Sequence, residues 1–95
     1  MSGRPPPRSD LFTKSVVVGS AVGLHARPAG IIADEAAEIG SEVLIGNPGD
    51  EPVDAGSALM IMTLGAGKGA TVEVSGEDQA AVDKIAALVE QDLDA

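Results

Sequence analysis

Residues 23–39 read Gly-Leu-His-Ala-Arg-Pro-Ala-Gly-Ile-Ile-Ala-Asp-Glu-Ala-Ala-Glu-Ile, and the stretch changes from a glycine-bearing loop into a helical pattern. Pro28 fits only the first turn of a helix, because it lacks an N–H and its ring would clash further along. The helix is therefore predicted to begin at His25 or Ala26 and to stop at Gly40. One side of it is apolar, which indicates that it covers another layer. That side carries Pro28, Ile31, Ile32, Ala36 and Ile39.

Segments that favour strands flank this helix. Before it, residues 14–19 contain three consecutive valines, which suit a buried strand. After it, residues 41–45 alternate in polarity and lead through the turn residues 46–49 to a partner strand at 51–55. Pro52 lacks the N–H that a strand ladder needs, so this last strand is predicted to lie at a sheet edge.

The second half of the chain continues with helix, strand and helix. Ser57 can cap a short helix that runs to about Thr63, because its hydroxyl can accept an N–H of the first turn. A glycine-rich loop follows, then a strand at 70–74 and a final helix at 78–93 with a broad apolar stripe. The order βαββαβα predicts an α/β two-layer (α+β) open-faced sandwich, with helices on one face of an antiparallel sheet.

Composition limits the chain to one small domain. Residues 1–12, with the run Arg4-Pro5-Pro6-Pro7-Arg8, are predicted to be a mobile N-terminal extension, and residues 13–95 to form the domain. A net charge of −9 with no Tyr or Trp argues against nucleic acid and anionic membranes. No apolar run approaches a membrane span, and without cysteine and with one histidine no metal site is expected. We expect a cytoplasmic monomer without a cofactor.

His25 is the main candidate for chemistry. Its imidazole is a nucleophile near neutral pH, and the first N–H groups of the helix that follows favour an anion. Arg27 adds a permanent charge and a planar set of donors that match phosphate oxygens. We therefore predict that His25 is catalytic, with Arg27 and the backbone of Ala26 holding phosphate. The alternative is a solvated histidine and arginine at an ordinary helix start.

Three separate segments resemble one known family. Leu24 to Ala29 resembles the active-site segment of HPr, the histidine-containing phosphocarrier of the bacterial phosphoenolpyruvate:sugar phosphotransferase system. Residues 53–57 resemble its regulatory-serine segment, and residues 62–70 resemble the loop before its last strand. The resemblance runs from Lys14 to Leu93 without a sizeable gap. It implies a sheet of strand order 1-4-2-3.

The resemblance also implies a function. The chain would be a phosphoryl carrier rather than a true enzyme, taking phosphate from Enzyme I on Nδ1 of His25 and passing it to enzyme IIA-type components for carbohydrate uptake. Ala58, Leu59 and Met62 match the family positions that contact partners, although a helix stripe is more often core. Ser57 matches a serine that an HPr kinase phosphorylates in some members, and capping alone also explains it.

The chain departs from the family at three places. Gly56 replaces a frequent lysine before the serine, Val22 replaces a frequent Asn or Ser, and acids replace lysines on the first helix. Three other functions compete with sugar uptake. They are a carrier of the nitrogen-related regulatory branch, a small acyl phosphatase, and a non-catalytic regulator that binds its partner when Ser57 is phosphorylated.

Overall fold

The computed structural model of the chain describes residues 11–91 and residue 93. It contains seven elements in the predicted order. These are β1 (Phe12–Val17), α1 (Ala26–Ile39), β2 (Val43–Gly46), β3 (Val53–Asp54), α2 (Ala58–Met62), β4 (Thr71–Gly76) and α3 (Gln79–Glu90).

The four strands form one antiparallel sheet of order β1-β4-β2-β3. β4 is central, because it pairs with β1 on one side and β2 on the other. β3 lies at an edge, as the position of Pro52 predicted, and pairs only with β2. Both α1 and α3 turn a buried side inward, and α3 packs against β1, β4 and β2. The predicted open-faced sandwich is confirmed.

The strand boundaries differ from the predictions, because pairing partners set them. β1 begins at Phe12, inside the predicted N-terminal extension, because Gly76 of the long central strand pairs with it. β4 extends to Gly76 instead of ending at Val74, because its last residues pair with strands on both sides. β3 is only two residues long. Residues 1–10 of the predicted extension lie outside the described part of the chain.

The final helix ends at Glu90, so the prediction that it reaches Leu93 is wrong. A helix that continued would need the Val89 carbonyl to accept from the Leu93 N–H. That carbonyl accepts instead from the Gly19 N–H at 3.0 Å, and the Leu93 N–H donates to the Ser20 hydroxyl at 3.1 Å. The chain is extended at Gln91, while Leu93 still packs on the core.

The predicted ends of α1 are confirmed. It begins at Ala26 with His25 as its N-cap, and it stops at Gly40, whose φ of 82° is the left-handed geometry that glycine adopts at little cost. The core beneath it is aliphatic, and its largest fully buried members are Ile32, Ile45, Ile61 and Ile85. Among the described residues, no helix has the length and apolar character needed to cross a bilayer.

Candidate functional site

His25 is the exposed N-cap residue of α1. Its backbone is extended, with φ −88° and ψ −168°, and its carbonyl accepts the first helical hydrogen bond from the Ala29 N–H at 2.8 Å. Its side chain makes no capping hydrogen bond. The helix therefore uses the backbone of His25 and leaves the imidazole available at the surface.

The backbone donors next to His25 follow from the position of Pro28. The Ala29 N–H is the first to bond within the helix, and Pro28 has no N–H. The N–H groups of Ala26 and Arg27 are thus the two that α1 leaves without a helical acceptor. They lie at the positive end of the helix dipole, immediately after the histidine. This arrangement can hold the oxygens of an anion bound to His25.

Arg27 lies at the second helical position, and its side chain is exposed. Among the described residues it forms no salt bridge, whereas Lys14 and Lys84 each pair with an acid. No acidic residue lies in the first turn of α1. The guanidinium is therefore not neutralised by its own helix start and can contribute its charge to an anion at His25.

The loop before His25 is held against the glycine-rich loop at 65–69. Gly23 has a φ of 76°, and a Cβ there would lie 2.5 Å from the Ala66 carbonyl oxygen. The next residue, Leu24, donates its N–H to that same carbonyl at 2.9 Å. Only glycine allows this approach, so residues far apart in the chain fix the position of His25 together.

A cavity of about 280 Å³ lies beside His25. Met62, at the end of α2, forms part of its wall, so the structure brings Met62 and His25 together as the sequence suggested. Ala58, Leu59 and Ser57 do not line it. The other lining residues come from the two loops and are Val22, Leu24, Gly65, Ala66 and Gly67.

The short helix α2 divides its side chains between the core and the surface. Ile61 is fully buried, whereas Leu59 is 69% exposed and Met60 is 40% exposed. Ala58 and Met62 are half-buried and pack against the core. Core packing therefore accounts for the apolar side chain of Ile61 and, in part, for those of Ala58 and Met62. It does not account for the apolar side chain of Leu59, which is exposed.

Ser57 is the N-cap of α2, as predicted. Its hydroxyl accepts from the Met60 N–H at 3.3 Å, and its own N–H donates to the Asp54 carbonyl at 3.1 Å. The Asp54 carboxylate accepts from the Gly56 N–H at 2.8 Å, which places a negative charge beside the cap. Ser57 and Met62 lie at opposite ends of α2, about 7 Å apart along its axis.

Two further apolar residues, Val22 and Met60, are exposed and were not predicted as partner contacts. Val22 is 57% exposed and lies on the cavity wall, and Met60 is exposed on α2. The sequence signal for Met60 was weak, because helical periodicity cannot say which side of a five-residue helix is covered. Val22 stood out only as a departure from the family pattern.

Fold and site together define a class of protein: a small antiparallel α/β sandwich that presents a histidine at the start of its first helix, beside a glycine-rich loop. The sequence profile of the family described as "PTS HPr component phosphorylation site" matches residues 12–91. The chain belongs to this family, the HPr-like phosphocarriers of the phosphotransferase system. Membership implies interaction with Enzyme I and with enzyme IIA-type partners.

Individual relatives agree with this assignment. The chain is 37% identical to the phosphocarrier protein HPr of Streptomyces coelicolor over 84 residues, which covers 85% of this chain and 90% of that one. It is 36% identical to the phosphocarrier protein NPr of Shewanella violacea, covering 85% and 91%. The crystal structure of HPr from Bacillus anthracis superposes with a TM-score of 0.76 at 32% identity, covering 83% and 96%.

Proposed function

We propose that His25 accepts a phosphoryl group from Enzyme I and passes it to an enzyme IIA-type acceptor for carbohydrate uptake. The observation that carries the proposal is the free imidazole at an N-cap. A residue that capped the helix with its side chain would have to break that bond before reacting, whereas His25 has none to break. This relay would operate in the cytoplasm.

The transfer needs a nucleophile and a place for negative charge. A lone pair on the imidazole, at Nδ1, attacks the phosphorus, and the bond from phosphorus to its donor atom on Enzyme I breaks as the new N–P bond forms. The N–H groups of Ala26 and Arg27 and the Arg27 guanidinium then stabilise the phosphoryl oxygens. A helix dipole contributes roughly 0.3 to 1 kcal/mol at such a position, which biases the equilibrium without trapping the phosphate.

Partner docking would use the apolar surface around the site. Val22, Leu59 and Met60 are exposed, and Val22 lines the cavity that His25 and Met62 share. A partner that covers them excludes water from the reacting nitrogen, which strengthens each charge interaction there. Leu59 and Met62 are the proposed partner contacts on α2. Ala58, half-buried at the start of α2, adds to the same proposed contact surface.

The test of this function is direct phosphorylation. The purified chain is incubated with phosphoenolpyruvate and Enzyme I, and the expected product carries one phosphate that is lost in acid and stable in base. The His25→Ala variant is expected to carry none. Equal labelling of this variant would overturn the assignment of His25, and absence of any label on the wild type would overturn the carrier function.

The branch of the system needs a second measurement. Relatives named HPr and NPr match the chain at nearly equal identity, so the nitrogen-related regulatory branch is the alternative to sugar uptake. Phosphorylated protein is offered to a carbohydrate acceptor and to an acceptor of the nitrogen branch in parallel. Faster transfer to the carbohydrate acceptor supports the first branch, and the reverse order supports the second.

A further inference from the structure

The loop that carries His25 rests on the C-terminal end of α3. Gly19 follows β1 and Val18 in this loop. Its N–H donates to the Val89 carbonyl at 3.0 Å. A side chain at Gly19 would overlap the Glu90 carbonyl, so the loop and the helix end are in direct backbone contact. The end of α3 is thus part of the support beneath the histidine loop.

Ser20 adds the side-chain contacts to this support. It is fully buried, and in the described part of the chain only Ser75 is another buried polar residue. The Ser20 hydroxyl donates to the Gln91 carbonyl at 3.3 Å and accepts from the Leu93 N–H at 3.1 Å. One hydroxyl therefore uses both of its capacities to hold the segment that follows α3.

The backbone of Ser20 transmits this contact toward His25. Its carbonyl accepts from the Gly23 N–H at 2.9 Å, which closes a turn over residues 20–23. Gly23 is the residue that packs against the Ala66 carbonyl and leads to Leu24 and the N-cap histidine. A continuous series of hydrogen bonds therefore runs from the C-terminal segment through Ser20 to the loop next to His25.

We infer that Ser20 is a positioning residue for phosphoryl transfer, which fixes the His25 loop by tying it to the segment after α3. This inference rests on the proposed function of His25. Ser20 contacts neither the phosphate nor the partner, and it acts by holding turn 20–23, which leads through Gly23 and Leu24 to His25, in place. Without the Ser20 hydroxyl, the turn loses its hydrogen bonds to Gln91 and Leu93.

The experiment compares Ser20→Thr with Ser20→Val in the full chain. Both substitutions add a similar volume at the same buried position, and only threonine keeps the hydroxyl. Single-turnover transfer from phosphorylated Enzyme I is expected to be near the wild-type rate for Ser20→Thr and roughly three- to tenfold slower for Ser20→Val, as expected for lost hydrogen bonds. The dissociation constant for Enzyme I should be equal in the two, because the docking surface is unchanged.

Two readouts separate positioning from stability. The ¹⁵N resonances of the His25 ring and the hydrogen exchange of the Gly23 N–H are expected to change in Ser20→Val and not in Ser20→Thr. The control Ile45→Val loosens the core at β2, away from this loop, and should lower the melting temperature without changing the rate or the His25 resonances. If the added volume prevents folding, Ser20→Ala against the wild type makes the same comparison.

Equal transfer rates and equal His25 resonances in the two Ser20 variants would overturn the inference. A slower rate in the Ile45→Val control, matched to its loss of stability, would do so as well, because stability alone would then explain the effect. If the wild type accepts no phosphate, the carrier function is wrong. The ring resonances and Gly23 exchange would still decide whether Ser20 holds the loop.

Discussion

At the scale of single residues, the site depends on a histidine that occupies a capping position without acting as a cap. Ser, Thr, Asp and Asn are favoured at an N-cap because their side chains accept a first-turn N–H. His25 has the extended backbone of an N-cap and no such bond. The position therefore gives up stability that a capping side chain would provide, and leaves the imidazole and the nearby N–H groups free for a ligand.

Replacing His25 with a capping residue is expected to have opposite effects on stability and on function. His25→Asn should raise the free energy of unfolding by about 0.5 kcal/mol or more, because asparagine can cap α1, while phosphorylation is abolished. His25→Ala should leave stability within about 0.5 kcal/mol of the wild type, since an exposed side chain without partners is removed. Urea unfolding measures both variants. A large loss of stability in His25→Ala would show that the imidazole has a structural role.

Arg27 should affect rate more than fold. Arg27→Ala would remove the charge-assisted contact proposed for the phosphoryl group, and such contacts are typically worth about 1.5 to 3 kcal/mol, so transfer should slow by roughly tenfold to a hundredfold. The control is Lys14→Ala, which removes an exposed cation from β1, where it pairs with Asp83 of α3. An equal effect of the two substitutions on single-turnover rates would indicate general electrostatics instead of a contact at His25.

At the scale of elements, α2 depends on its cap. Ser57→Ala should lower the free energy of unfolding by about 0.5 to 2 kcal/mol and leave phosphoryl transfer normal. Ser57→Asp keeps an accepting oxygen, so the fold should persist, while a new charge beside Leu59 slows docking of Enzyme I. Denaturant unfolding and transfer rates test both. Transfer at the wild-type rate by Ser57→Asp would place Ser57 outside the docking surface.

The packing of α1 on α3 has a pH-dependent contact. The Lys84 ammonium donates to a Glu35 carboxylate oxygen at 2.7 Å, and this hydrogen bond, with the charge of Glu35 and a smaller effect of Glu38, raises the pKa of Lys84 above 10.5. Because the folded pKa is the higher one, the contact stabilises the fold below pH 10.5 and is lost as pH rises through the folded pKa.

Replacing Glu35 tests this contact. In Glu35→Gln the pKa of Lys84, followed by NMR, should fall toward its ordinary value, and the loss of stability with alkaline pH should become less steep. Glu38→Gln removes the weaker influence and should lower the pKa less. The effect on stability near neutral pH should be small, since the Lys84 side chain is 60% exposed. A larger fall in the pKa of Lys84 in Glu38→Gln than in Glu35→Gln would show that Glu38 has the stronger influence and would contradict this prediction.

At the scale of the whole molecule, the site exists only where two distant loops meet. Gly23→Ala must adopt a φ of 76° and place a Cβ against the Ala66 carbonyl, whereas Gly49→Ala must adopt a φ of 85° with open space around it. Both should lose about 1 to 2 kcal/mol from the left-handed backbone, and Gly23→Ala should lose more. Comparing the free energy of unfolding and the transfer rate of the two variants isolates the effect of the contact between Gly23 and Ala66. Equal losses of stability in the two variants would show that the Ala66 carbonyl can move away from the new Cβ at no cost in free energy.

Much of the fold follows from local chemistry that the sequence determines alone. Pro28 and Gly40 delimit α1, Ser57 begins α2, and Asp78 caps α3, because each acts on groups within about four residues of itself. The alternation of buried and exposed residues then predicts which sides face the core. The strand order was available only through the resemblance to a family, since no local pattern specifies which strands pair.

Other features depend on competition between groups that are distant in the chain, so local patterns do not predict them. α3 stops before Leu93 because Gly19 takes the Val89 carbonyl, and β1 begins at Phe12 because Gly76 is there to pair with it. The sequence alone was enough to propose His25, Arg27 and Met62 as site residues, and the structure places His25 and Met62 on one cavity wall. The wall of the cavity and the support at Ser20 were not, because a hydrogen bond across more than 70 residues leaves no periodic pattern in the chain.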